Sequence, residues 1–349
     1  MRHGLAASVA ILLVAGLAPV GLAQKAVTTP ASLPAVDVLA RGETVPVGTA
    51  AEDAADDPAI WRNARRPSAS LIVATDKKAG LYVYGLDGQV RSFVKAGLVN
   101  NVDLIDMDLG GVIVVASDRN DVTKALLQVY RLNTSEATLE PIGSVSGGAG
   151  EAYGVCLLRD GDALYAFSVL KEGIIEQVVI ALTKGAVSGR NLRTMKLQTQ
   201  TEGCVVDSRS RTLYVGEEDR GIWAFDTRPD VSTEGRLVAA VDGKHLVADV
   251  EGLTIMPSGP RGGWLIASSQ GDNAYAMFSL PEMKPAGRFR IAAGTFGATQ
   301  ETDGIAVAGG LFGPGYPDGL FVAQDGDNAP SAQNFKLVSW RDILSTMPR

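Results

Sequence analysis

Histidine and cysteine are nearly absent from this sequence, and their scarcity excludes several kinds of catalytic site. Of the 349 residues, two are histidines (His3 and His245) and two are cysteines (Cys156 and Cys204). Zinc sites are built largely from these residue types, so we expect no zinc centre. No arginine stands six residues after either cysteine, which excludes a Cys-based phosphatase. The sequence also shows neither a Ser-His-Asp arrangement nor a Gly-rich nucleotide loop.

Positive charge and long apolar runs are also in short supply. The formal net charge is −7, which argues against nucleic acid as a partner. The apolar run at residues 9–17 is too short to span a membrane, but it lies between basic Arg2 and the small-residue stretch Gly21-Leu22-Ala23. We therefore predict a signal peptide over residues 1–23, export to the periplasm or the external medium, and a flexible leader over residues 24–35 that is rich in Ala, Thr and Pro.

Helical periodicity is rare, whereas glycine is abundant at 40 residues, which indicates short strands joined by tight turns. One junction, in which a polar residue meets an apolar strand, recurs six times at intervals of 45, 51, 49, 49 and 52 residues. The third residues of these junctions are Pro58, Asp103, Gly154, Gly203, Gly252 and Gly304. Repeats of this length are typical of four-stranded blades. We predict an all-β, six-bladed β-propeller over residues 36–349 rather than a β-sandwich or two barrels.

The last repeat has sequence for only three strands before the C-terminus. A propeller needs a complete last blade to close its ring. We expect the extended segment at residues 36–47 to supply the missing strand of this last blade.

The two cysteines lie at positions that face opposite sides of equivalent strands. Cys156 is two residues after Gly154, whereas Cys204 is one residue after Gly203. Export would permit a disulfide bridge between them. The spacing nevertheless favours two buried free thiols.

The second residues of the junctions are predicted to meet at one height, because the innermost strands of a propeller line its central channel. These residues are Asp57, Val102, Tyr153, Glu202, Glu251 and Asp303. Crowded carboxylates without a counter-charge raise one another's pKa values and destabilise the fold. Calcium resolves this conflict because it takes six to eight oxygen ligands, to which Val102 can add its backbone carbonyl. The sequence therefore predicts a ring that binds calcium.

The loops after the second strands divide by charge. Those of repeats one to three carry Lys77, Lys78, Arg119 and Lys171. Those of repeats four to six carry Glu217, Glu218, Asp219, Gln270, Asp272, Asp325 and Asp327. This division suits a polyanion, and phosphate in particular, held between side-chain cations and bound metal. Since no protein nucleophile is evident, attack by a metal-activated water is the simplest mechanism.

Eight ordered motifs carry a resemblance to a known family. They are Asp53-Ala-Ala-Asp-Asp-Pro-Ala-Ile-Trp61, Asn100-Asn-Val-Asp103, Gln200-Thr-Glu-Gly203, Asp249-Val-Glu-Gly-Leu-Thr-Ile255, Ala267-Ser-Ser-Gln-Gly271, Thr302-Asp-Gly304, Gly319-Leu-Phe-Val-Ala-Gln-Asp-Gly326 and Gln333-Asn-Phe-Lys336. With these motifs the sequence resembles the β-propeller phytases, the alkaline, calcium-dependent class, from about residue 43 to residue 340.

The resemblance implies a secreted phosphoric monoester hydrolase of the 3-phytase type, which acts on myo-inositol hexakisphosphate (phytate) as a calcium complex and holds several calcium ions. Catalytic roles are implied for Asp56, Tyr153, Glu202, Glu218 and Glu251. Phosphate contacts are implied for Lys77, Lys78, Arg119 and Lys171. Metal ligands are implied at Asp56, Asp57, Pro58, Val102, Tyr153, Glu202, Glu218, Asp249, Glu251, Gln270, Asp303 and Asn334.

Two of the implied metal groups are structural. One joins Asp57, Asp303 and Asn334 with the carbonyls of Pro58 and Val102, and the other joins Asp249, Glu251 and Gln270. One position departs from the family's pattern, because Ile105 stands where an arginine is common. A basic contact at the site for a second phosphate is therefore expected to be missing.

Two other functions remain open from the residues alone. A calcium-dependent propeller lactonase or sugar-ester hydrolase would share the carboxylate ring, but it would leave the four basic loop residues without a purpose. A calcium-stabilised binding propeller would keep the fold and the metal without catalysis. For the phytase interpretation we expect a monomer that binds a small-molecule substrate and associates with neither nucleic acid nor membrane.

Overall fold

A computed structural model describes residues 1, 32–50, 53–183 and 186–347 of the chain. Apart from Met1, the predicted signal peptide lies outside the described residues, as does most of the predicted leader. Within the described ranges, 25 β-strands form six sheets that are arranged as a six-bladed β-propeller, which confirms the predicted fold. The described part holds one short α-helix, Trp340–Thr346, and no helix there is long and apolar enough to cross a membrane.

The consecutive strands of each blade are antiparallel and follow one another from the channel outward, and the N-terminal segment adds one strand to each of the last two blades. The strands of the first three blades are Ala55–Trp61, Leu71–Asp76, Gly80–Gly85 and Val90–Lys95, then Val99–Asp106, Val112–Asp118, Ala125–Asn133 and Thr138–Gly148, then Ala152–Asp160, Ala163–Leu170, Ile174–Thr183 and Ala186–Lys196. Those of the last three blades are Thr201–Asp207, Thr212–Glu217, Gly221–Asp226 and Arg236–Ala240, then Val250–Ser258, Gly262–Ser269, Ala274–Leu280 and Lys284–Ala292, then Ile305–Gly309, Gly319–Asp325 and Asn334–Ser339.

The N-terminal segment divides between two blades. Gly42–Glu43 pairs antiparallel with Asn334–Ser339 and supplies the fourth strand of the last blade. The predicted closure is confirmed for this part of the segment. Val36–Leu39 instead pairs in parallel with Lys284–Ala292, as a fifth strand on the fifth blade.

The described end of the predicted leader is held by hydrogen bonds. The N–H of Leu33 donates to the carbonyl of Lys244 (2.9 Å), and the carbonyl of Leu33 accepts a hydrogen bond from Nη1 of Arg288 (2.8 Å). Leu33, which lies in the predicted leader, is therefore bonded to the folded domain.

The hydrophobic core is divided into clusters that lie between neighbouring blades. Side chains alternate along the second strands, so one face of each sheet packs on the preceding blade and the other face on the next. In the second blade, Val112 and Val114 pack on the first blade, whereas Ile113 and Val115 pack on the third. Because these strands are buried on both faces, their sequences are continuous apolar runs.

The expectation for the cysteines was wrong, because Cys156 and Cys204 form a disulfide with their Cα atoms 5.8 Å apart. The strand registers do place the two side chains on opposite faces of equivalent strands. However, neighbouring blades pack face to face, so side chains on opposite faces of successive blades point towards each other. The same observation that argued against a bridge is the geometry that allows one.

The innermost strands share an irregularity at one end. In the first five blades their pairing with the second strand skips two residues, between Ala55 and Pro58, Val99 and Val102, Ala152 and Val155, Thr201 and Cys204, and Val250 and Leu253. In the sixth blade the strand begins at Ile305, directly after the corresponding residues. These β-bulges release two residues per blade from the ladder around one mouth of the channel.

Candidate active site

The register of the inner strands decides which side chains share one height at this mouth. In each inner strand, one residue lies two positions before the first regularly paired residue. These six residues are Asp56, Asn100, Tyr153, Glu202, Glu251 and Asp303. Four of the six predicted ring positions are confirmed. The other two were wrong, because Asp56 and Asn100 occupy the positions expected for Asp57 and Val102. The position of the bulge determines which residue faces the mouth. The start of the apolar run, on which the prediction relied, does not identify that residue reliably.

Close backbone contacts between blades support this register. The N–H of Gly252 donates to the carbonyl of Asp303 in the next blade (2.7 Å). A Cβ atom on Gly154 would lie 1.9 Å from the carbonyl oxygen of Glu202 in the next blade. In the last four blades glycine follows the ring residue, and at these positions the neighbouring backbone leaves no room for a side chain.

Three carboxylates at the mouth have oxygens without a hydrogen-bond donor among the residues that the structure describes. Carboxylate oxygens of Glu202, Glu218 and Glu251 lie within 4.8 Å of one another. Both carboxylate oxygens of Asp56, Oε1 of Glu218 and Oε2 of Glu251 are buried and accept no hydrogen bond from any described residue. Oxygens bound on opposite sides of one calcium ion lie up to about 5 Å apart. The donor set and its orphaned oxygens therefore fit a hard divalent cation.

Burial dominates the ionisation of these carboxyl groups. It raises the pKa values of Glu202 and Glu251 well above the usual range, and neighbouring carboxylates raise them further. Burial also raises the pKa values of Asp56 and Glu218. For Asp303, burial outweighs a nearby ammonium group and raises the pKa to about 7. Without a metal the cluster thus tends to keep protons that a divalent cation would displace.

Lys77 is buried among acidic groups. Its Nζ lies 2.9 Å from Asp53, 3.2 Å from Asp56 and 2.9 Å from Asp303. Burial opposes its charge, but the facing carboxylates prevail and raise the pKa of Lys77. The predicted phosphate ligand is thus a built-in counter-ion of the acidic mouth. Its neighbour Lys78, also predicted to contact phosphate, is exposed.

Two other predicted phosphate ligands flank Tyr153. Lys171 Nζ lies 4.9 Å and the Arg119 guanidinium 5.4 Å from the centre of the Tyr153 ring. Glu151 lies between the two cations, 3.4 Å from Arg119 and 4.0 Å from Lys171. Burial raises the pKa of Tyr153. Arg119, Lys171 and Tyr153 therefore form a cationic wall at the mouth.

The residues of the first implied structural site are only partly brought together. Asp57, Pro58 and Val102 line a channel cavity of about 360 Å³, and Oδ2 of Asp57 accepts a hydrogen bond from the N–H of Val102 (3.0 Å). The amide of Asn334 is instead engaged by Glu43, Thr44 and Lys336. Within the described ranges, no hydrogen bond links Asn334 to Asp57 or Asp303.

The second implied structural group lies at the mouth of the fifth blade. The carbonyl of Asp249 accepts the N–H of Gln270 (3.0 Å), and Nε2 of Gln270 donates to Oδ1 of Asp303 (2.7 Å). Asp249 is also close enough to raise the pKa of Glu218. These residues thus border the carboxylate cluster at the mouth.

Part of the predicted acidic half faces inward. Glu217 accepts hydrogen bonds from Thr199 and Trp223, Asp272 pairs with Arg288 at 2.6 Å, and Asp325 pairs with Lys336 at 3.1 Å. These three carboxylates stabilise their own blades. Glu218, Asp219, Gln270 and Asp327 remain on the rim, where a ligand can reach them.

Ile105 lies away from the mouth. It stands five residues beyond Asn100 on the same strand, a distance of about 17 Å at the rise of an extended chain. Its side chain packs against the core between the second and third blades. An arginine there would not reach the mouth, so the expected loss of a phosphate contact has no support in this geometry.

Three residues of the site were missed by the sequence. Asn100 donates from Nδ2 to Oε1 of Glu202 (2.8 Å), Asp53 pairs with Lys77, and Glu151 bridges the two cations beside Tyr153. Asn100 and Asp53 lie inside motifs already singled out. A signal for Glu151 was available, because it stands two residues before a ring position.

A polar groove of about 670 Å³ borders the mouth. It is lined in part by Asp53, Gln270, Glu301, Asp303 and Asp327. The carboxylates give it a negative field that would repel a free polyanion. A polyanion whose charge is already neutralised by cations would be admitted.

Fold and site together define a class: a six-bladed propeller whose mouth offers oxygen ligands for a metal ion beside side-chain cations suited to phosphate. Comparison with known proteins identifies the family. Residues 3–348 match the family described as Phytase. The chain is 41% identical over 331 residues to the 3-phytase of Bacillus subtilis (strain 168), an alignment that covers 89% of this chain and 86% of the relative. The chain belongs to the phytase family and is a phytase, a phosphoric monoester hydrolase, which excludes the lactonase and the binding module.

Proposed function

We propose that this phytase is calcium-dependent and exported, acts as a monomer, and hydrolyses phytate presented as its calcium complex. The observation that carries the calcium requirement is the set of buried carboxylate oxygens without a partner in the described part of the chain, namely Oδ1 of Asp56, Oε1 of Glu218 and Oε2 of Glu251. Leaving such groups unpaired is costly, and calcium is the common ion that accepts oxygen ligands alone in this number.

The proposed catalytic cluster comprises Asp56, Tyr153, Glu202, Glu218 and Glu251. Asp57 and Asp303, with the carbonyls of Pro58 and Val102, are proposed to hold a structural ion, and Asp249 and Gln270 to support the cluster. When bound, calcium neutralises phosphate oxygens and lowers the pKa of a water ligand, which makes that water a nucleophile.

The chain's own residues bind and orient the substrate. Arg119 and Lys171 lie beside Tyr153 with their charged groups towards the mouth, where they are placed to contact phosphate oxygens. The exposed Lys78 adds a third cation on the rim. Lys77 offsets the charge of the acidic groups, so the mouth tolerates its carboxylates before the substrate arrives.

The acidic groove supports the calcium complex as the substrate. Phosphates of phytate that are not being cleaved must lie near the mouth, and Asp53, Glu301 and Asp327 line the groove beside it. Direct contact between these carboxylates and free phosphates would be repulsive. Calcium ions carried by the substrate would convert that repulsion into attraction.

The test is phosphate release from phytate by the mature protein at pH about 8. After treatment with a chelator, release should fall to background, and added calcium should restore it, because the carboxylate cluster then regains its cation. Glu202→Gln should remain inactive at every calcium concentration, whereas Glu282→Gln, a control in the turn between two strands of the fifth blade, should behave like the wild type. Unchanged release in the presence of the chelator would contradict the calcium requirement.

A further inference from the structure

We propose that the Cys156–Cys204 disulfide positions the carboxylate cluster, so that its loss weakens calcium binding at the mouth. This inference rests on the proposed calcium site. Cys204 follows Glu202 by two residues and Cys156 follows Tyr153 by three, on the inner strands of neighbouring blades. At about 3.3 Å per residue the bond lies some 7–10 Å from both ring residues.

The bond crosses a junction where the two backbones are already pressed together. A Cβ on Gly154 would lie 1.9 Å from the carbonyl of Glu202, so no side chain separates the strands there. Between the sixth and first blades, the N–H of Gly304 donates to the carbonyl of Asp56 (3.1 Å). At the junction of the third and fourth blades, a covalent bond lies two to three residues beyond the ring residues.

Glu202 must place its carboxylate accurately if it is to bind a metal ion. Its side chain is buried, Oε1 accepts a hydrogen bond from Asn100, and its carboxylate belongs to the group that faces Glu218 and Glu251. Calcium ligands must lie within about 2.3–2.6 Å of the ion, so a shift of a few tenths of an ångström between two blades is enough to lose a ligand. The disulfide limits that shift because it ties the strand of Tyr153 to the strand of Glu202.

The experiment compares calcium binding of the wild type with that of Cys156→Ala/Cys204→Ala, by calorimetry after chelator treatment and at a temperature where circular dichroism shows both to be folded. We expect the dissociation constant for calcium to rise about tenfold in the double variant, as for the loss of other groups that hold metal ligands in place. Turnover should recover at saturating calcium. Wild type reduced with a dithiol, its two thiols counted by titration, should show the same rise and covers the case in which the double variant does not fold.

The control is Met195→Ala, which removes a buried side chain from the same cluster between the third and fourth blades without touching the disulfide. It should lower the unfolding temperature but leave the calcium dissociation constant within about twofold, since a cavity there costs stability alone. Equal calcium affinity in wild type, reduced protein and double variant would overturn the proposal, as would an equal loss in Met195→Ala. Absence of calcium binding in the wild type itself would instead refute the proposed function.

Discussion

At the scale of single residues, Lys77 shows why the mouth can hold so many acidic groups. Its ammonium faces Asp53, Asp56 and Asp303, and its side chain is 9% exposed. A buried charge is tolerated where opposite charges surround it, and removal of one member leaves the others uncompensated. Lys77 is thus a permanent positive charge in a site whose other proposed positive charges are calcium ions that bind and dissociate.

Replacing Lys77 by methionine should destabilise the calcium-free protein by about 3 kcal/mol at pH about 8, where the facing carboxylates are most charged. The measurement is urea denaturation in the presence of a chelator. Lys78→Met is the matched control, because its exposed side chain forms no ion pair within the described part of the chain, and it should change stability by less than about 0.5 kcal/mol. Equal losses in both variants would show that Lys77 is not the internal counter-ion.

The sequence identified most of the residues that the structure brings to the mouth, but not all of their contacts. Glu202, Glu251, Tyr153 and Asp303 were placed correctly because their repeats share one spacing between the polar residue and the apolar strand. Lys77 was predicted to contact phosphate, and its loop sequence does not reveal that its side chain also faces three carboxylates. Orientation of this kind depends on carboxylates that are distant in the chain.

At the scale of the strand, the bulge at each inner junction is the feature that builds the site. It frees two residues from the ladder, turns the first towards the mouth and leaves the second against the next blade. Where the second residue is glycine, the carbonyl of the next ring residue fills the space of the absent side chain. At Gly154 that carbonyl belongs to Glu202.

Gly154→Ala should therefore displace Glu202. The added Cβ would lie 1.9 Å from its carbonyl, a contact that only backbone movement can relieve. We expect a loss of stability of about 1–3 kcal/mol, typical of overpacking, and at least a tenfold loss of phytase turnover. Thermal unfolding and phosphate release measure the two effects.

The matched control is Gly315→Ala, since no atom lies within 4 Å of a Cβ built there. It should match the wild type in both measurements. A Gly154→Ala protein with full turnover would mean that the approach of the two strands does not set the position of Glu202.

The number and order of the strands followed from the repeat, because periodicity is a local property of the sequence. Two features that depend on contact between blades did not follow. The disulfide was missed because the facing of neighbouring blades was not considered, and the division of residues 36–47 between two blades was missed because a parallel partner in the fifth blade leaves no local pattern. The prediction of the ring positions was wrong at Asp56 and Asn100 for the same reason, because the bulge depends on contact between blades.

At the scale of the whole molecule, the closed ring forces carboxylates from several blades into one buried volume. The sign of the resulting pH dependence follows from the pKa values. The pKa of Asp303 is about 7 in the folded protein, above that of an unfolded aspartate near 4. The folded state then binds more protons, so the calcium-free protein loses stability as pH rises from about 4 to 7.

Calcium reverses this trend, because it binds only the deprotonated carboxylates. Calcium affinity should therefore rise as the pH rises, over the range in which the metal-free protein becomes less stable. The raised pKa values of Glu202 and Glu251 act in the same direction.

Calorimetric titration of chelator-treated protein with calcium tests this account most directly. At pH about 8 the wild type should bind calcium at least tenfold more tightly than at pH about 5.5, and Glu202→Gln should lose the tightest binding step at both pH values. Calcium binding that is independent of pH, or identical in wild type and Glu202→Gln, would contradict the claim that the buried carboxylates of the ring hold the ion.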